Sequence, residues 1–345
     1  MAKLSDVDGK IEQNPLKLSV KDKRIIGELF RDARTPFSII AKRVRLSKES
    51  VNYRVKRLEK LGLLVGFNTV LDIKKIGWEI FFVYIRFRNV DAEKEKEMLE
   101  YLKNHPNVAQ LFRCIGNYDA IIKVFVRNYA DIDKVLKEIE GQYREFFDEY
   151  FFDYIIEEIA VPFSFLYQPG KESMIYRSAR EKTEKTSLTE LELRVLKELA
   201  KNARCSISEV AEKLKISREL IKYHLKKLEK SEVILKYRPD TLPKKLGYNW
   251  HFLILKTEKL EGNINKSLTT FLLNHPNVTY FYRTAGSSDI QVELRTKTNE
   301  KLNEILMEIR GILKTVLKRF ELLVILDELK YTYFPECLLE AKGKS

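Results

Sequence analysis

This chain repeats itself, and the repeat limits what it can fold into more than any other feature. His105-Pro106-Asn107-Val108 recurs as His275-Pro276-Asn277-Val278, 170 positions later. The same offset carries Ser47 to Ser217, Tyr53 to Tyr223, Leu58 to Leu228, Gly77 to Gly247 and Arg113 to Arg283. It also carries Gly116 to Gly286, Asp119 to Asp289 and Glu138-Ile139 to Glu308-Ile309. Chance matches of common residues scatter over many offsets, so one gapless offset over such a span marks a duplicated unit. The 345 residues are enough for two to four domains with real cores.

Each copy divides in two. In the first, Ile25, Ile26, Leu29 and Phe30 are spaced as one face of a helix, and Phe37, Ile40, Ala41 and Val44 as a second short one. Arg45-Leu46 forms a turn, and Ser47 is a natural N-cap for a third helix. Val51, Val55 and Leu58 recur at helical spacing as the inward stripe of that helix. Glu49, Tyr53, Lys56 and Lys60 point the other way, with Ser50, Asn52 and Arg57 on the flanks. Two short helices followed by a third with a polar, basic outer face make the helix-turn-helix pattern. The run "LLVGFNTVLD" is expected to add a wing, a small hairpin around a glycine-containing turn.

In such a module the first turns of the recognition helix reach base edges, and later basic residues meet phosphates. Glu49, Ser50, Asn52 and Tyr53 are therefore the groove-side candidates, Lys48, Arg54, Lys56 and Arg57 the backbone candidates, and the capping Ser47 completes the DNA-binding set. In the second copy Ile221, Leu225 and Leu228 face in, leaving Ser217, Arg218, Glu219, Lys222, Tyr223, Lys226 and Lys227 as the matching DNA-binding set. Charge supports the assignment. The net +13 of the chain suits a polyanionic partner, here double-stranded DNA, and residues 18–62 carry +8 while residues 79–163 carry −6. Over residues 188–233 the excess is only +3, so the second reading head is expected to bind less tightly or mainly to support the first.

The other half of each copy reads strand–helix–strand–strand–helix–strand. "EIFFVYIRF" is strand-like, "AEKEKEMLEYLKNHP" is a helix closed by proline, and Gly116-Asn117-Tyr118-Asp119 separates two apolar runs as a hairpin turn. The expected module is a four-stranded antiparallel sheet with two helices on one face, the ferredoxin-like βαββαβ plan. Its open face invites pairing with a second such sheet, within the chain or between chains. The aromatics of "REFFDEYFFDYI" are expected to fill that interface.

The stretch "LSKESVNYRVKRLEKLGLLVGFNTVLDIKKIGW" resembles the recognition helix, wing and hinge of the leucine-responsive regulatory protein/AsnC (feast/famine) regulators. Through the repeat, the resemblance covers about residues 20–335. It implies an α+β chain with two winged helix-turn-helix domains (18–76 and 188–246), each followed by a ferredoxin-like effector and dimerisation domain (77–166 and 247–336), with a linker at 167–187. It also implies a small effector, often an amino acid, bound near the hairpin turn. The family's Gly-x-x-Asp falls on Gly116 and Asp119, with Asn117 and Tyr118 between, and on Gly286 and Asp289, with Ser287 and Ser288 between. The family usually places one copy per chain and dimerises. Here the two copies can form that dimer internally.

Other chemistry finds little footing. Cys114, Cys205 and Cys337 form no Cys-x-x-Cys pair, which argues against a disulfide framework or zinc site. His105 and His275 precede prolines at matching helix ends, and His224 and His251 stand alone. No phosphate loop, nucleophile–base pair or metal spacing is found, so the expectation is a non-enzymatic, cytoplasmic regulator without cofactor, metal or membrane span. Two alternatives remain open: an effector-free architectural DNA-binding protein, and an enzyme like the siroheme decarboxylases, which are similar in architecture to this family.

Overall fold

A computed structural model of the chain describes residues 15–167, 176–177 and 185–340. The first copy runs α1 (Val20–Arg31), α2 (Phe37–Val44), α3 (Lys48–Lys60), β1 (Leu64–Leu71), β2 (Glu79–Phe87), α4 (Ala92–Asn104), β3 (Val108–Ile115), β4 (Ala120–Val126), α5 (Asp131–Glu140) and β5 (Phe147–Ala160). A two-residue strand, β6 (Tyr176–Arg177), lies between the copies. The second copy runs α6 (Glu190–Lys201), α7 (Ile207–Leu214), α8 (Arg218–Lys230), β7 (Ile234–Thr241), β8 (Asn249–Thr257), α9 (Gly262–Asn274), β9 (Val278–Gly286), β10 (Ile290–Thr296), α10 (Asn299–Leu313), β11 (Leu317–Tyr331) and a terminal turn of helix, α11 (Cys337–Glu340). The fold is α+β and follows the repeat element by element.

Tertiary structure does not keep each copy to itself. One compact unit gathers the helix-turn-helix modules of both copies, and the other gathers both strand–helix modules.

In the first unit the helices begin where their caps dictate. Ser19 and Asp22 close a capping box on α1, Thr189 and Glu192 do so on α6, and Ser47 and Ser217 accept from the backbone N–H of Ser50 and Leu220. The inward stripes are buried as the spacing requires, Val51, Val55 and Leu58 in α3 and Ile221, Leu225 and Leu228 in α8. The wing is not the internal hairpin expected but is built from one strand of each copy. Leu64–Leu71 is one continuous strand, with Gly66 inside it, and pairs antiparallel with β7 of the other copy (Thr69 opposite Tyr237). Two single strands, each with an unsatisfied edge, satisfy one another across the repeat. Residues 162–166, placed by the sequence at the end of the first ferredoxin-like domain, cluster with this unit, as does Tyr167 at the start of the expected linker. Phe163 and Tyr167 set their rings 5.0 and 5.1 Å from that of Phe30.

In the second unit, β3-β4-β2-β5 and the matching β9-β10-β8-β11 each form the expected four-stranded antiparallel sheet. The joint between them goes beyond face pairing. The last strand of each copy is long, 14 residues in β5 and 15 in β11, and serves two sheets. β5 pairs with β2 over its first half and with β9 over its second, while β11 pairs first with β8 and then with β3. The pairings thereby link eight strands in a closed order, β3-β4-β2-β5-β9-β10-β8-β11 and back to β3. The helices cover the outside, over one apolar cluster around Phe81, Val83, Leu102 and Ile122 and another around Leu253, Leu272, Val292 and Ile305. The other face holds aromatics, with Phe82 edge-on to Tyr282 at 4.9 Å and Phe112 edge-on to Trp250 at 5.0 Å. The "REFFDEYFFDYI" aromatics largely miss this interior. Phe147 is buried, but Tyr150, Phe151 and Phe152 remain 36–41% exposed, because the part of β5 that carries them lies against β2 before the strand crosses to β9.

Candidate nucleic-acid interface and effector turns

The two recognition helices present the same ridge. Lys48, Glu49, Tyr53, Lys56 and Arg57 are exposed on α3, with Ser50, Asn52 and Arg54 half-buried at its flanks. On α8, Arg218, Glu219, Lys222, Tyr223, Lys226 and Lys227 are exposed. Tyr53 and Tyr223 are 69% and 63% exposed, values at which a large aromatic gains nothing from the core. Ser47 and Ser217 are exposed but their hydroxyls are spent on capping, so their part in any groove contact would be to set where the helix starts.

Two of the basic candidates have structural duties. The Arg54 guanidinium donates to Asp22 Oδ1 at 2.9 Å, and Arg57 lies 3.6 Å from Asp22 Oδ2. Asp22 is almost fully buried in the first turn of α1. Burial would raise its pKa, but hydrogen bonds from Ser19 and Arg54 hold it below the usual value. The second copy builds the same clamp from different residues. Glu192, also buried, takes Lys227 Nζ at 2.7 Å and His224 Nδ1 at 3.2 Å. Burial again opposes ionisation, yet Lys227, Thr189 and His224 hold the carboxyl down to about 2. These clamps tie the recognition helix to the helix two before it. Arg57 and Lys227 keep exposed faces, whereas Arg54 is mainly a brace.

Reciprocal contacts lock the reading heads together. Arg34 donates to the carbonyls of Ala203 (2.6 Å) and Cys205 (3.1 Å), and Arg204 donates to those of Ala33 and Thr35. Ala33 N–H bonds Tyr237 O, and Ala203 N–H bonds Phe67 O, at 3.0 and 2.8 Å. No periodicity singles out Arg34 or Arg204. Only their shared offset within "DART" and "NARC" hints that they matter.

The hairpin turns are where the sequence puts them, with different surroundings in the two copies. Asp119 Oδ2 accepts from the backbone N–H of Phe87 at 2.7 Å. Asp289 accepts from the Thr257 N–H and hydroxyl and from Lys256 Nζ at 2.8 Å. Burial works against the Asp289 carboxylate, but Lys256 and Thr257 hold its pKa below the usual value. The ammonium partner expected from an effector is thus already present in the second copy, supplied by the chain. In the first, Gly116 and Asn117 face solvent, the ring of Tyr118 is buried, and Arg86 donates to the Asn117 carbonyl at 2.8 Å. In the second, Gly286 is exposed, Ser287 half-buried and Ser288 fully buried.

A groove of about 700 Å³ opens on the first strand–helix module between the end of α5 and the start of β5. Arg88 and Arg144 line it together with Glu140, Glu145, Asp148 and Glu149, beside Phe147, Tyr150 and Phe151. The Phe151 ring lies 6.1 Å from that of Tyr118, which links the groove to the first turn. The sequence reading missed this groove, since its residues come from a helix end and a strand start that show no shared spacing. None of the four histidines lines it. Among the described residues, no group of three or more His, Cys, Asp or Glu side chains gathers to hold a metal, and no helix is long and apolar enough to cross a membrane.

Comparison with known proteins matches this layout. Residues 18–59 match the AsnC-type helix-turn-helix domain, residues 80–142 the Lrp/AsnC ligand binding domain, and residues 188–234 a winged helix-turn-helix DNA-binding domain. The chain is 32% identical over 124 residues to the HTH-type transcriptional regulator LrpA of Pyrococcus horikoshii, covering 35% of this chain and 85% of that protein. It is 27% identical over 116 residues to the regulatory protein AsnC of Haemophilus influenzae, covering 33% of this chain and 76% of that one. Among solved structures, the siroheme decarboxylase NirDL superposes with a TM-score of 0.61 at 15% identity, covering 93% of this chain and 97% of the other. At that identity the likeness is one of fold.

Proposed function

Because this chain belongs to the Lrp/AsnC family, we propose that it is a non-enzymatic, sequence-specific DNA-binding transcriptional regulator, with both reading heads in one polypeptide and its output tuned by a small amino-acid-like effector. The observation that carries this reading is the paired ridge. Two recognition helices keep the same exposed tyrosine and basic residues, and a reciprocal arginine lock fixes them in one unit. Arg57, Lys56, Lys226 and Lys227 meet phosphates, while Asn52 and Tyr53 reach base edges in the first half-site and Lys222 and Tyr223 in the second. Since α3 and α8 differ in sequence, the site is an imperfect palindrome with half-sites about 10 base pairs or a multiple apart. An effector enters the groove beside Phe151 and Tyr118. The excess of carboxylates over guanidinium groups there suits the ammonium of an amino acid, and the aromatics suit its apolar part. A mobility-shift assay at low ionic strength, with DNA from the protein's own genomic neighbourhood and with or without amino acids, tests the reading. Failure to bind duplex DNA overturns it. A thermal-shift screen separates the regulator from an effector-free architectural protein, because a bound ligand raises the melting temperature by mass action.

The full-length likeness to NirDL favours a second reading, a siroheme-decarboxylase-like enzyme, and the same enzyme is known in co-complex with an iron-uroporphyrin III analogue. A polycarboxylate macrocycle calls for converging cations, and the acidic groove found here repels one. The histidines are also engaged. His105 and His275 accept from the N–H of Asn107 and Asn277, His251 bonds Thr296, and His224 pairs with Glu192. An absorbance titration with siroheme decides the matter: an unchanged absorption band supports the regulator, and a shifted band with loss of carboxylate supports the enzyme.

A further inference from the structure

The hairpins β3–β4 and β9–β10 occupy equivalent places in the ring, and each is crossed by the last strand of the other copy. What that strand brings differs. Over Gly116, β11 lays Leu323, and over Gly286, β5 lays Asp153, both residues being fully buried. The Asp153 carboxylate accepts from Ser287 Oγ (3.0 Å), Ser288 N–H (3.0 Å), Ser288 Oγ (2.6 Å) and Gln291 Nε2 (3.0 Å). All four donors come from the second copy and all are neutral. Gly286 makes the approach possible. Its φ of 141° is a glycine conformation, and a Cβ there would lie 2.6 Å from Asp153 Oδ1. A buried carboxylate ringed by neutral N–H and O–H donors is built as an anion-binding site is built, with oriented dipoles in place of water.

We propose that the second hairpin is a carboxylate-binding pocket whose ligand the chain carries itself. Asp153 fills it, seals the β5–β9 seam and bars a dissolved carboxylate. The first hairpin has Leu323 in the equivalent place and holds no such internal anion over Gly116. The pocket stands on its own geometry. Its consequence for regulation, that no effector carboxylate enters at the second hairpin, rests on the regulator reading.

The test uses the full chain with Asp153→Ala, which empties a space close to the size of formate, and follows thermal unfolding in sodium formate against sodium chloride at equal ionic strength. In chloride the melting temperature is expected to fall by roughly 5–10 °C, as for loss of a buried polar network in a chain of this size. Formate at tens of millimolar is expected to restore about half of that loss. It should do nothing comparable for wild type or for Leu323→Ala, whose gap is apolar. Equal effects of formate on all three overturn the proposal. Should Asp153→Ala fail to fold, Asp153→Asn keeps the shape but not the charge. It is expected to melt lower than wild type and to ignore formate, and an unchanged melting temperature overturns the proposal. Neither DNA nor effector enters the assay, so its failure is separate from failure of the regulator reading.

Discussion

Arg34 and Arg204, 170 positions apart, make one contact in opposite directions. Each guanidinium donates to two backbone carbonyls beside the other arginine. Arg204 also lies 4.3 Å from the centre of the Phe37 ring and 5.3 Å from that of Phe67. A lysine at either site presents a point charge and cannot bridge two carbonyls while lying flat on a ring. Arg204→Lys is therefore expected to cost about 1–2 kcal/mol in chemical denaturation. It should also weaken binding to a two-half-site DNA more than to a single half-site. Equal loss on both would mean that the lock does not set the spacing of the heads.

On the proposed function, Tyr53 reads bases and Arg57 holds phosphates, and substitutions separate the two roles. Tyr53→Ala removes an exposed ring from the first reading head and should alter base preference in a selection from random DNA, with little change in stability. Arg57→Ala should weaken binding to all sequences and flatten the dependence of log K on log salt by about one unit. Because Arg57 also faces the buried Asp22, some loss of stability should accompany it, and Arg54→Ala should show the larger loss of stability with the smaller change in salt slope. The opposite ranking would reverse the roles assigned to the two arginines.

The repeat, the order of elements, the buried stripes and the hairpin turns were all legible in the sequence, because each depends on neighbours within a few residues. What the sequence could not give is which copy satisfies which edge. "LLVGFNTVLD" reads equally as a hairpin around Gly66 or as a strand through it, and the choice is made by β7, far along the chain. Asp153 sits in "FFDYI", where a carboxylate by itself suggests a wet position, but the donors that satisfy it in the interior come from Ser287, Ser288 and Gln291. The Lys48, Lys56 and Tyr53 ridge was readable from helical angle alone. The bracing of Arg54 was not, since Asp22 lies on another helix.

Inside the ring, Lys123 pairs with Glu158 at 2.8 Å and lies over the rings of Phe82 and Tyr282. The repeat places Glu293 at the position matching Lys123, so the copies carry opposite charges at equivalent sites. Burial raises the Glu293 pKa, opposed by Arg295 and by a hydrogen bond from Tyr282. Lys123→Met removes the ammonium paired with the buried Glu158 and is expected to cost about 3 kcal/mol at neutral pH. Adding Glu158→Leu should recover most of that loss. A double variant no more stable than the single would show that the pair is not the relevant unit. Complementarity of this kind favours pairing unlike copies over like ones, which agrees with closure of the ring within a single chain.

His251 gives the pH dependence a direction. It is 4% exposed on β8, bonds Thr296 Oγ1 at 3.1 Å, and is held down to about 4 by burial and, secondarily, by the Arg295 charge. The unfolded chain binds a proton at His251 near the ordinary histidine value of about 6.5, while the folded chain resists it until about 4. The stabilising contribution is thus complete above pH ~6.5 and is lost as pH falls from there towards 4. By pH ~5 the loss at this site is expected to reach about 2 kcal/mol. His105 and His275 are shifted in the same direction by burial, so the wild-type curve carries their contributions too. His251→Gln keeps a neutral group facing Thr296 and isolates the term. Its urea midpoint should fall less steeply than that of wild type between pH 7 and 5, and parallel curves for the two proteins would show that His251 takes up its proton in the folded state as readily as in the unfolded one.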